Sequence, residues 1–512
     1  MRMEEQMKKY FMMALLILVS AAVLSGCRKG GTKKDERSVV VGITQDLDSL
    51  DPHKAVAAGT KEVLYNIFEG LVKPDQNGNL VPAVAESYKI SEDGKTYSFI
   101  LRKDVKFHNG STVTAEDVIY SLKRCAGMLE TSDPEVQVVA ALSVISDITT
   151  SNENGVDTIT VTLKEANTEL IGYLTCSIIP KNYTEQAKKP VGTGPFRFVS
   201  YTPMSSLVME KNKDYYGRKA NIEKVTFAIS ENTDAAFLKL QAGQIDIFPY
   251  LTSDQATQLK DSFNIEVGEM SLVQALFLNN KVKPFDNPDV RRAMCLAVNR
   301  DDILSILNDG KGKKIGSGVY AGFGAYFNDA CTDTYTYNLQ EAKELLKKAG
   351  YPNGFTFTCV VPSNYTYHVQ TAQVLASQLQ NAGITMKIQM IEWASWLSDV
   401  YQGHNFEATI VGLDSQLAPS DILKYYISGS KKNFINYESE EFDRLYQEAI
   451  ATTDSAKKKE LYNKAQKCLA DDAASVFLQS PSLMVAVSKR LTGYTFYPVY
   501  VQDMSTITIP ER

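Results

Sequence analysis

Apolar and polar residues alternate over several short stretches of this 512-residue chain. Tyr97, Phe99 and Leu101 occupy every second position of residues 96–101, and apolar residues alternate with threonine over residues 158–163. Residues 384–390 follow the same rule. A period of two puts successive side chains on opposite faces of a strand, so these stretches are predicted as half-buried β-strands.

Other stretches repeat their apolar residues at helical spacing. The helix predicted after Asn287, an N-cap, and Pro288 has one apolar face, which leaves Arg291 and Arg292 pointing away from the core. A helix is also predicted after Thr114, where Asp117 three residues on gives the spacing of a capping box. The remaining predicted helices span residues 61–68, 234–242, 338–349, 367–382 and 443–470. A strand at 355–361, the helix at 367–382 and the strand at 384–390 form a βαβ unit, which predicts an α/β domain in the second half of the chain.

A turn-rich stretch near residue 192 divides the chain. Gly192, Gly194 and Pro195 are residues that turns favour, and two short apolar strands follow at 196–199 and 207–210. This pattern predicts a hairpin that re-enters a sheet after an excursion elsewhere. Residues 133–184, which precede it, mix strand and helix signals and indicate a separate small domain.

The N-terminus has the pattern of a targeting segment. Lys8 and Lys9 precede an apolar run, residues 11–24, which is too short for a membrane span and which leads to Leu-Ser-Gly-Cys at residues 24–27. This end resembles a bacterial lipobox, and the resemblance implies cleavage before Cys27 and lipid attachment to its thiol. A plain secretory signal followed by a chance cysteine is the alternative. Residues 28–37 are polar and are predicted to be a flexible tether.

Composition places the protein among ordinary globular chains. It is 44% hydrophobic and 22% charged, with a net charge of −6, and at about 150 residues per domain its length suggests two to four domains. The acidic balance and the lack of a basic stripe argue against a nucleic-acid partner. The six cysteines after Cys27 are widely spaced, which predicts mostly buried thiols and leaves one or two disulfides open.

Catalytic patterns are missing from the sequence. None of the four histidines lies at a metal-ligand spacing, and no Gly-x-Ser-x-Gly elbow occurs. The glycine-rich residues 311–327 lack the Lys-Ser end of a phosphate loop. We therefore expect a protein that is not an enzyme and that needs no cofactor and no metal.

Three long stretches carry a family resemblance. They are GTGPFRFVSY from residue 192, LVPAVAESYKISEDGKTYSFILRKDVKFHNG from residue 80 and VRRAMCLAVNRDDIL from residue 290. The chain from about residue 39 to 494 resembles the extracytoplasmic solute-binding proteins of peptide-type ATP-binding cassette (ABC) importers, bacterial solute-binding protein family 5.

The resemblance implies an α/β, two-lobed, periplasmic-binding-protein-like fold with a small α+β domain inserted in the first lobe. The domain boundaries expected from it are a signal peptide at 1–26 and a tether at 27–37, a first lobe at 38–80, 190–284 and 480–512, an inserted domain at 81–189, and a second lobe at 285–479.

The resemblance also implies a ligand site in the cleft between the lobes. In peptide-binding relatives a glycine, an aromatic residue and an aspartate hold the ligand, whose backbone pairs as an added strand and whose amine meets the aspartate. Asp414 is the first candidate for that aspartate and Asp421 the second, because the alignment needs a one-residue gap. The full set of expected ligand-binding residues is Gly412, Leu413 (in place of the aromatic), Asp414, Asp421, Trp393, Ala57 and Ala58. Trp396 is expected in the core.

The ligand itself stays open at this stage. Relatives that accept short oligopeptides carry arginines for the peptide carboxylate, and the matching positions, near Val400 and Ile410, are uncharged. Oligopeptides are the first expectation; longer or capped peptides, an oligosaccharide or a metal chelate are the alternatives.

The implied function is that of a monomeric receptor, lipid-anchored at the extracytoplasmic face of the cell membrane, or periplasmic where an outer membrane is present. Hinge closure between the lobes would trap the solute for delivery to a membrane permease and ATPase. A sensor that presents its loaded form to a membrane protein is the remaining alternative.

Overall fold

A computed structural model describes residues 37–131, 133–270, 272–415 and 418–510. The expected signal peptide, Cys27 and the tether up to residue 36 lie outside these ranges. The strands are β1 Ser38–Ile43, β2 Val72–Pro74, β3 Leu80–Pro82, β4 Ala85–Ile90, β5 Thr96–Leu101, β6 Ile145–Glu153, β7 Val156–Leu163, β8 Phe196–Thr202, β9 Ser206–Lys211, β10 Lys224–Ile229, β11 Ile247–Phe248, β12 Phe263–Glu269, β13 Val273–Leu278, β14 Lys313–Lys314, β15 Thr356–Pro362, β16 Thr385–Ile391, β17 Ala408–Leu413, β18 Val476–Ser480 and β19 Ser482–Ser488.

Helices separate many of these strands. The α-helices are Ala58–Leu64, Ala115–Cys125, Thr233–Gln241, Ser253–Leu259, Pro288–Ala297, Arg300–Asn308, Leu339–Lys348, Thr366–Gln380, the single turn Trp393–Ser395, Pro419–Leu423, Glu440–Ala451 and Ser455–Asp471, and a π-helical stretch covers Trp396–Gln402. Shorter 3₁₀ turns lie at Ala140–Val144, Leu170–Tyr173, Ala321–Tyr326, Asp329–Asp333, Lys424–Tyr426 and Met504–Thr506.

The first lobe is built on a seven-stranded mixed sheet in the order β12-β19-β11-β1-β10-β9-β8. The hairpin predicted after residue 192 is β8 and β9, paired antiparallel. Gly192 and Gly194 lie so close to the backbone of Ile67 that a Cβ on Gly192 would be 2.2 Å from its carbonyl oxygen. The turn therefore needs glycine for close approach of two backbones.

The inserted domain has its own four-stranded antiparallel sheet, β4-β5-β7-β6. Its helix Ala115–Cys125 begins with the capping box predicted from sequence: the Thr114 hydroxyl accepts from the Asp117 amide, and the Asp117 carboxylate accepts from the Thr114 amide. Tyr97 and Phe99 are fully buried in a core shared by the sheet and this helix, so the alternating pattern of β5 places them as expected.

The second lobe has a six-stranded sheet in the order β14-β18-β13-β17-β15-β16. β15 and β16 pair in parallel across the helix Thr366–Gln380, which confirms the βαβ unit. Apolar residues of β13 and β17 are fully or almost fully buried at its centre. The second lobe is therefore α/β, with β17 as an interior strand.

The chain crosses between the two large sheets at two adjacent places. It leaves the first-lobe sheet after Glu269 and enters the second-lobe sheet at Val273, and it returns at Pro481, between β18 and β19. The Met270 amide donates to the Pro481 carbonyl at 2.8 Å, so the crossings lie side by side. The sheets place β13 in the second lobe, whereas the expected boundary at 284/285 put residues 273–284 in the first. Two neighbouring crossings are where we expect a hinge between the lobes.

Two local predictions were wrong. The single helix expected at 443–470 is two helices, because the Asp454 side chain caps a new start by accepting from the Ala456 and Lys457 amides. Arg291 does not point away from the core: it is 6% exposed and donates to the carbonyls of Phe285, Ala473 and Asp472. The amphipathic pattern could not predict this, because two of the carbonyls that accept from Arg291 are about 180 positions away.

The six cysteines in the described ranges are free thiols. Contact with Cys176, together with burial, raises the pKa of the Cys125 thiol. Among the helices described, none combines the length and apolar character needed to cross a bilayer.

Candidate functional site

The cleft between the lobes is reached by following β17 to its carboxyl end. The strand is buried from Ala408 to Val411, Gly412 is half-buried, and Asp414 is exposed. The Asp414 carboxylate thus lies at the solvent-exposed end of a strand that is otherwise buried in the second lobe. Leu413, expected to replace a ligand-facing aromatic residue, is 7% exposed and packs in the core of the lobe.

The backbone donor at the end of β17 already has a partner. The Gly412 amide donates to Nε2 of His368 at 3.1 Å. Burial lowers the pKa of His368 to about 4, so at neutral pH the imidazole is uncharged and has an acceptor nitrogen for this bond. A Cβ at Gly412 would meet the Leu272 side chain at 2.9 Å. Sequence reasoning missed His368, which has no local motif.

Asp414 lies among charges from both lobes. Burial among surrounding groups raises the pKa of this carboxyl and nearby Asp421 raises it further, while Lys61 and Lys424 oppose the shift. Asp414 is nevertheless exposed. A raised pKa and exposure are both expected for a carboxyl on the floor of a cleft, where protein displaces part of the water. Lys61 belongs to the first-lobe helix Ala58–Leu64, so a carboxylate and an ammonium group from opposite lobes act on the same space.

Tyrosines surround this carboxylate. Burial, and then the Asp414 charge, raise the pKa values of Tyr365 and Tyr500, and Asp414 also contributes to the raised pKa of Tyr320, so all three lie near it. Tyr320 is fully buried and donates to the Pro498 carbonyl at 3.1 Å. Tyr365 is 42% exposed. The wall around Asp414 is therefore aromatic and contains hydroxyl groups.

The two tryptophans differ in exposure. Their rings stack 4.9 Å apart with an interplanar angle of 6°. Trp396 is 2% exposed and donates its indole N–H to Thr409 at 2.9 Å, which confirms that it belongs to the core. Trp393 is half-buried and meets the exposed Tyr365 edge to face at 5.3 Å, so it joins the aromatic wall.

Asp421 has protein partners. It is 7% exposed, accepts from the hydroxyl of Tyr173 at 2.7 Å and pairs with Lys424. Tyr173 belongs to the inserted domain. The structure therefore places Asp421 in a contact between the inserted domain and the second lobe.

The first-lobe loop expected to face the solute is pinned by Asp48. One oxygen of this carboxylate accepts from the amides of Val56 and Ala57, at 2.7 and 3.0 Å. Val56 is 62% exposed, Ala58 is exposed and Ala57 is half-buried. The loop presents small and apolar surface, but two of its backbone donors are already used.

A buried carboxyl lies behind this loop. Glu62 is 8% exposed, and it accepts from the Gln502 amide at 3.0 Å and from the Tyr250 hydroxyl at 3.5 Å. Burial raises its pKa to about 7. Its charge acts on Tyr500, so it borders the aromatic wall. No pattern around position 62 predicts this burial, because the contacts come from Tyr250 and Gln502, which are distant in sequence.

The residues around Asp414 also bear on whether the site could hold a metal ion. Within the described ranges, no group of three His, Cys, Asp or Glu side chains is placed to hold a metal ion. Val400 and Ile410, near which the family resemblance implies arginines in some relatives, are fully buried. Among the described residues, the groups around Asp414 include this exposed carboxylate, Lys61 of the other lobe, and tyrosine and tryptophan rings.

Two lobes that are joined by a double crossing and that enclose such a cleft define the class of periplasmic binding proteins. The profile described as "Bacterial extracellular solute-binding proteins, family 5 Middle" matches residues 79–434. The chain belongs to this family of solute-binding proteins of ABC importers.

Relatives span nearly the whole chain. The glutathione-binding protein GsiB of Pectobacterium atrosepticum is 28% identical over 505 residues, covering 90% of this chain and 92% of the relative. The dipeptide-binding protein of Escherichia coli is 26% identical, with 84% and 86% covered. Among solved structures, the periplasmic binding protein DppA from Helicobacter pylori in complex with peptide STSA has a TM-score of 0.78 and 29% identity, covering 94% of this chain and all of that one.

Proposed function

We propose that this protein captures short peptides with a free amine between its lobes and delivers them to the permease and ATPase of an ABC importer. The observation that carries the proposal is the exposed Asp414 at the end of β17, inside the cleft. A carboxylate bonded to an ammonium group forms a strong, charge-assisted contact. Relatives named for dipeptide and glutathione binding support the ligand class.

Lys61 is the proposed partner of the ligand's carboxylate. It is exposed, and its charge opposes the rise in the pKa of the Asp414 carboxyl, so the two groups lie near each other. Lys424, the other cation near Asp414, is paired with Asp421. A zwitterion spanning Asp414 and Lys61 would touch both lobes and so stabilise the closed form. This assignment replaces the arginines that the family comparison leads one to look for.

Main-chain pairing at Gly412 is not part of the proposal, because its amide donates to His368. Tyr365 and Trp393 would instead cover the ligand's side chains, which aromatic surfaces accept with little selectivity. The receptor would then recognise the two charged ends of a peptide with more selectivity than the peptide's side chains.

The experiment has two stages. Native mass spectrometry of the purified protein identifies any copurified solute, and calorimetric titration with glutathione, dipeptides and tetrapeptides follows. Each peptide is paired with its N-acetylated form. We expect free-amine peptides to bind and acetylated ones to bind at least about tenfold more weakly. An oligosaccharide or a metal chelate as the only ligand would contradict the peptide assignment.

We also propose that the protein is held at the membrane by lipid on Cys27, acting as a monomer at the extracytoplasmic face. The support is the apolar run before Leu-Ser-Gly-Cys at residues 24–27 and the extracellular character of the family. A Cys27→Ala variant is expected to appear in the soluble extracytoplasmic fraction. If that variant stays in the membrane pellet, the anchor assignment is wrong.

A further inference from the structure

The contact between the inserted domain and the second lobe extends beyond Tyr173 and Asp421 into a region that is largely buried and contains charged side chains. We call it the sealed contact and define it by Thr168, Glu169 and Tyr173 of the inserted domain with Ser420, Asp421, Lys458 and Tyr462 of the second lobe. Glu169 is 5% exposed and Lys458 is 7% exposed. Ionised side chains are rarely buried to this degree unless they are paired.

Second-lobe donors surround the Glu169 carboxylate. It accepts from the Ser420 amide at 3.0 Å and from the Tyr462 hydroxyl at 2.6 Å. The Lys458 ammonium lies 3.9 Å away. Burial lowers the pKa of Lys458, and the Glu169 charge opposes that shift. One carboxylate of the inserted domain thus contacts two helices of the other lobe, Pro419–Leu423 and Ser455–Asp471.

Thr168 adds the second half of the contact. Its amide and its hydroxyl both donate to the Ile450 carbonyl, at 2.8 and 2.9 Å, and the hydroxyl also reaches the Thr452 carbonyl at 3.1 Å. The carbonyls in the last turn of a helix lack partners within the helix, and the helix Glu440–Ala451 ends here. The break between the two C-terminal helices therefore exposes acceptors that the inserted domain uses.

We propose that Glu169 is a positioning residue that holds the lobes closed and sets how fast a bound solute is released. The hinge at Met270 and Pro481 joins the two large sheets, and Glu169 and its partners lie on opposite sides of it. Opening must therefore break the bonds of Glu169 and Thr168 together. The proposal rests on the hinge closure in the proposed function, but not on the identity of the solute.

The charge pair suits a contact that must also open. A buried ion pair gains little net free energy, because desolvation offsets its attraction, so the closed form is not locked. Removing one partner is different, since it leaves the other charge buried and unpaired. Glu169→Gln and Lys458→Met are therefore each expected to favour the open form, whereas the double variant loses less than the sum of the two.

Small-angle X-ray scattering of the full-length protein tests this, both as purified and after unfolding and refolding to remove solute. We expect the closed-to-open ratio of each single variant to fall by about tenfold or more, and the double variant to recover part of it. Glu165→Gln, an exposed carboxylate four residues away, is the matched control and should scatter like the wild type. Melting temperatures show whether each variant is folded.

The proposal is overturned if the single variants superimpose on the wild type in both states, or if the two effects simply add. Lys458→Met serves as the second route if Glu169→Gln does not fold. Failure of every peptide to bind in calorimetry would remove the proposed ligand class, but the scattering comparison would still decide the role of Glu169.

Discussion

The two places where the lobes meet treat their carboxylates in opposite ways. Asp414 is exposed, with a lysine across the cleft and tyrosines around it. Glu169 is buried and bonded to a backbone amide and a tyrosine hydroxyl beside a lysine. We propose that the first carboxylate binds a ligand and that the second holds the lobes together.

The largest expected effect concerns a third carboxyl, Glu62, which is buried without a cation at bonding distance. Its pKa of about 7 is raised from 4.5, so the native protein binds a proton that the unfolded chain releases between these values. Stability is then fully present below pH 4.5 and is lost as the pH rises through 7, by about 3 kcal/mol. Glu62→Gln should remove this loss.

Urea unfolding of the wild type and of Glu62→Gln from pH 4 to pH 8 measures the difference between their free energies of unfolding at each pH. The difference cancels the contributions of His53, His108 and His368, whose pKa values are lowered by burial and which act in the opposite direction. If the two proteins keep the same offset at every pH, the pKa of Glu62 is the same in the folded and the unfolded chain, and burial without a cation does not raise it.

The second effect concerns Asp414, the exposed carboxylate of the comparison. Asp414→Ala is expected to weaken binding of a free-amine dipeptide by about 10- to 100-fold, because a charge-assisted contact is lost. Binding of the N-acetylated peptide should not change. Asp286→Ala removes an exposed carboxylate elsewhere in the second lobe and is the control. Equal affinity of Asp414→Ala and wild type for the free amine would move the ligand away from Asp414.

A smaller effect is expected at the edge of the sealed contact. Tyr173→Phe removes the bond from its hydroxyl to Asp421, which leaves Lys424 as a partner of that carboxylate. The closed form should lose about 1 kcal/mol, a fivefold change in the release rate of a bound dipeptide measured by stopped flow. Tyr183→Phe, which loses a bond to the Lys189 carbonyl within the inserted domain, should release the dipeptide at the wild-type rate.

The smallest effect is spectroscopic. Trp393 is half-buried beside the exposed Tyr365, whereas Trp396 is sealed in the core. Ligand binding should therefore change the emission of Trp393 and leave that of Trp396 nearly unaltered. In Trp393→Phe the response should vanish while affinity changes little. A full response in that variant would place the ligand away from the aromatic wall.

The sequence alone determined the local structure and the family. Alternation and helical spacing predicted β5, β7, β15 and β16 and most helices, because these patterns follow from backbone geometry within a few residues. The capping box at Thr114 is such a local signal, since both its bonds close within three residues. The stretches near residues 80, 192 and 290 carried the family, and with it the two-lobed fold and the region of the cleft.

Tertiary structure alone decided which side chains are available to a ligand and which hold the molecule together. Asp414 and Asp421 are seven residues apart and were the first and second candidates from sequence, yet one is exposed and the other is bonded to Tyr173, 248 positions away. Glu62 and Glu169 are likewise buried by partners hundreds of residues distant. The physical reason is that burial and hydrogen bonding depend on which distant segments the fold brings together. A pattern within a few residues does not contain that information.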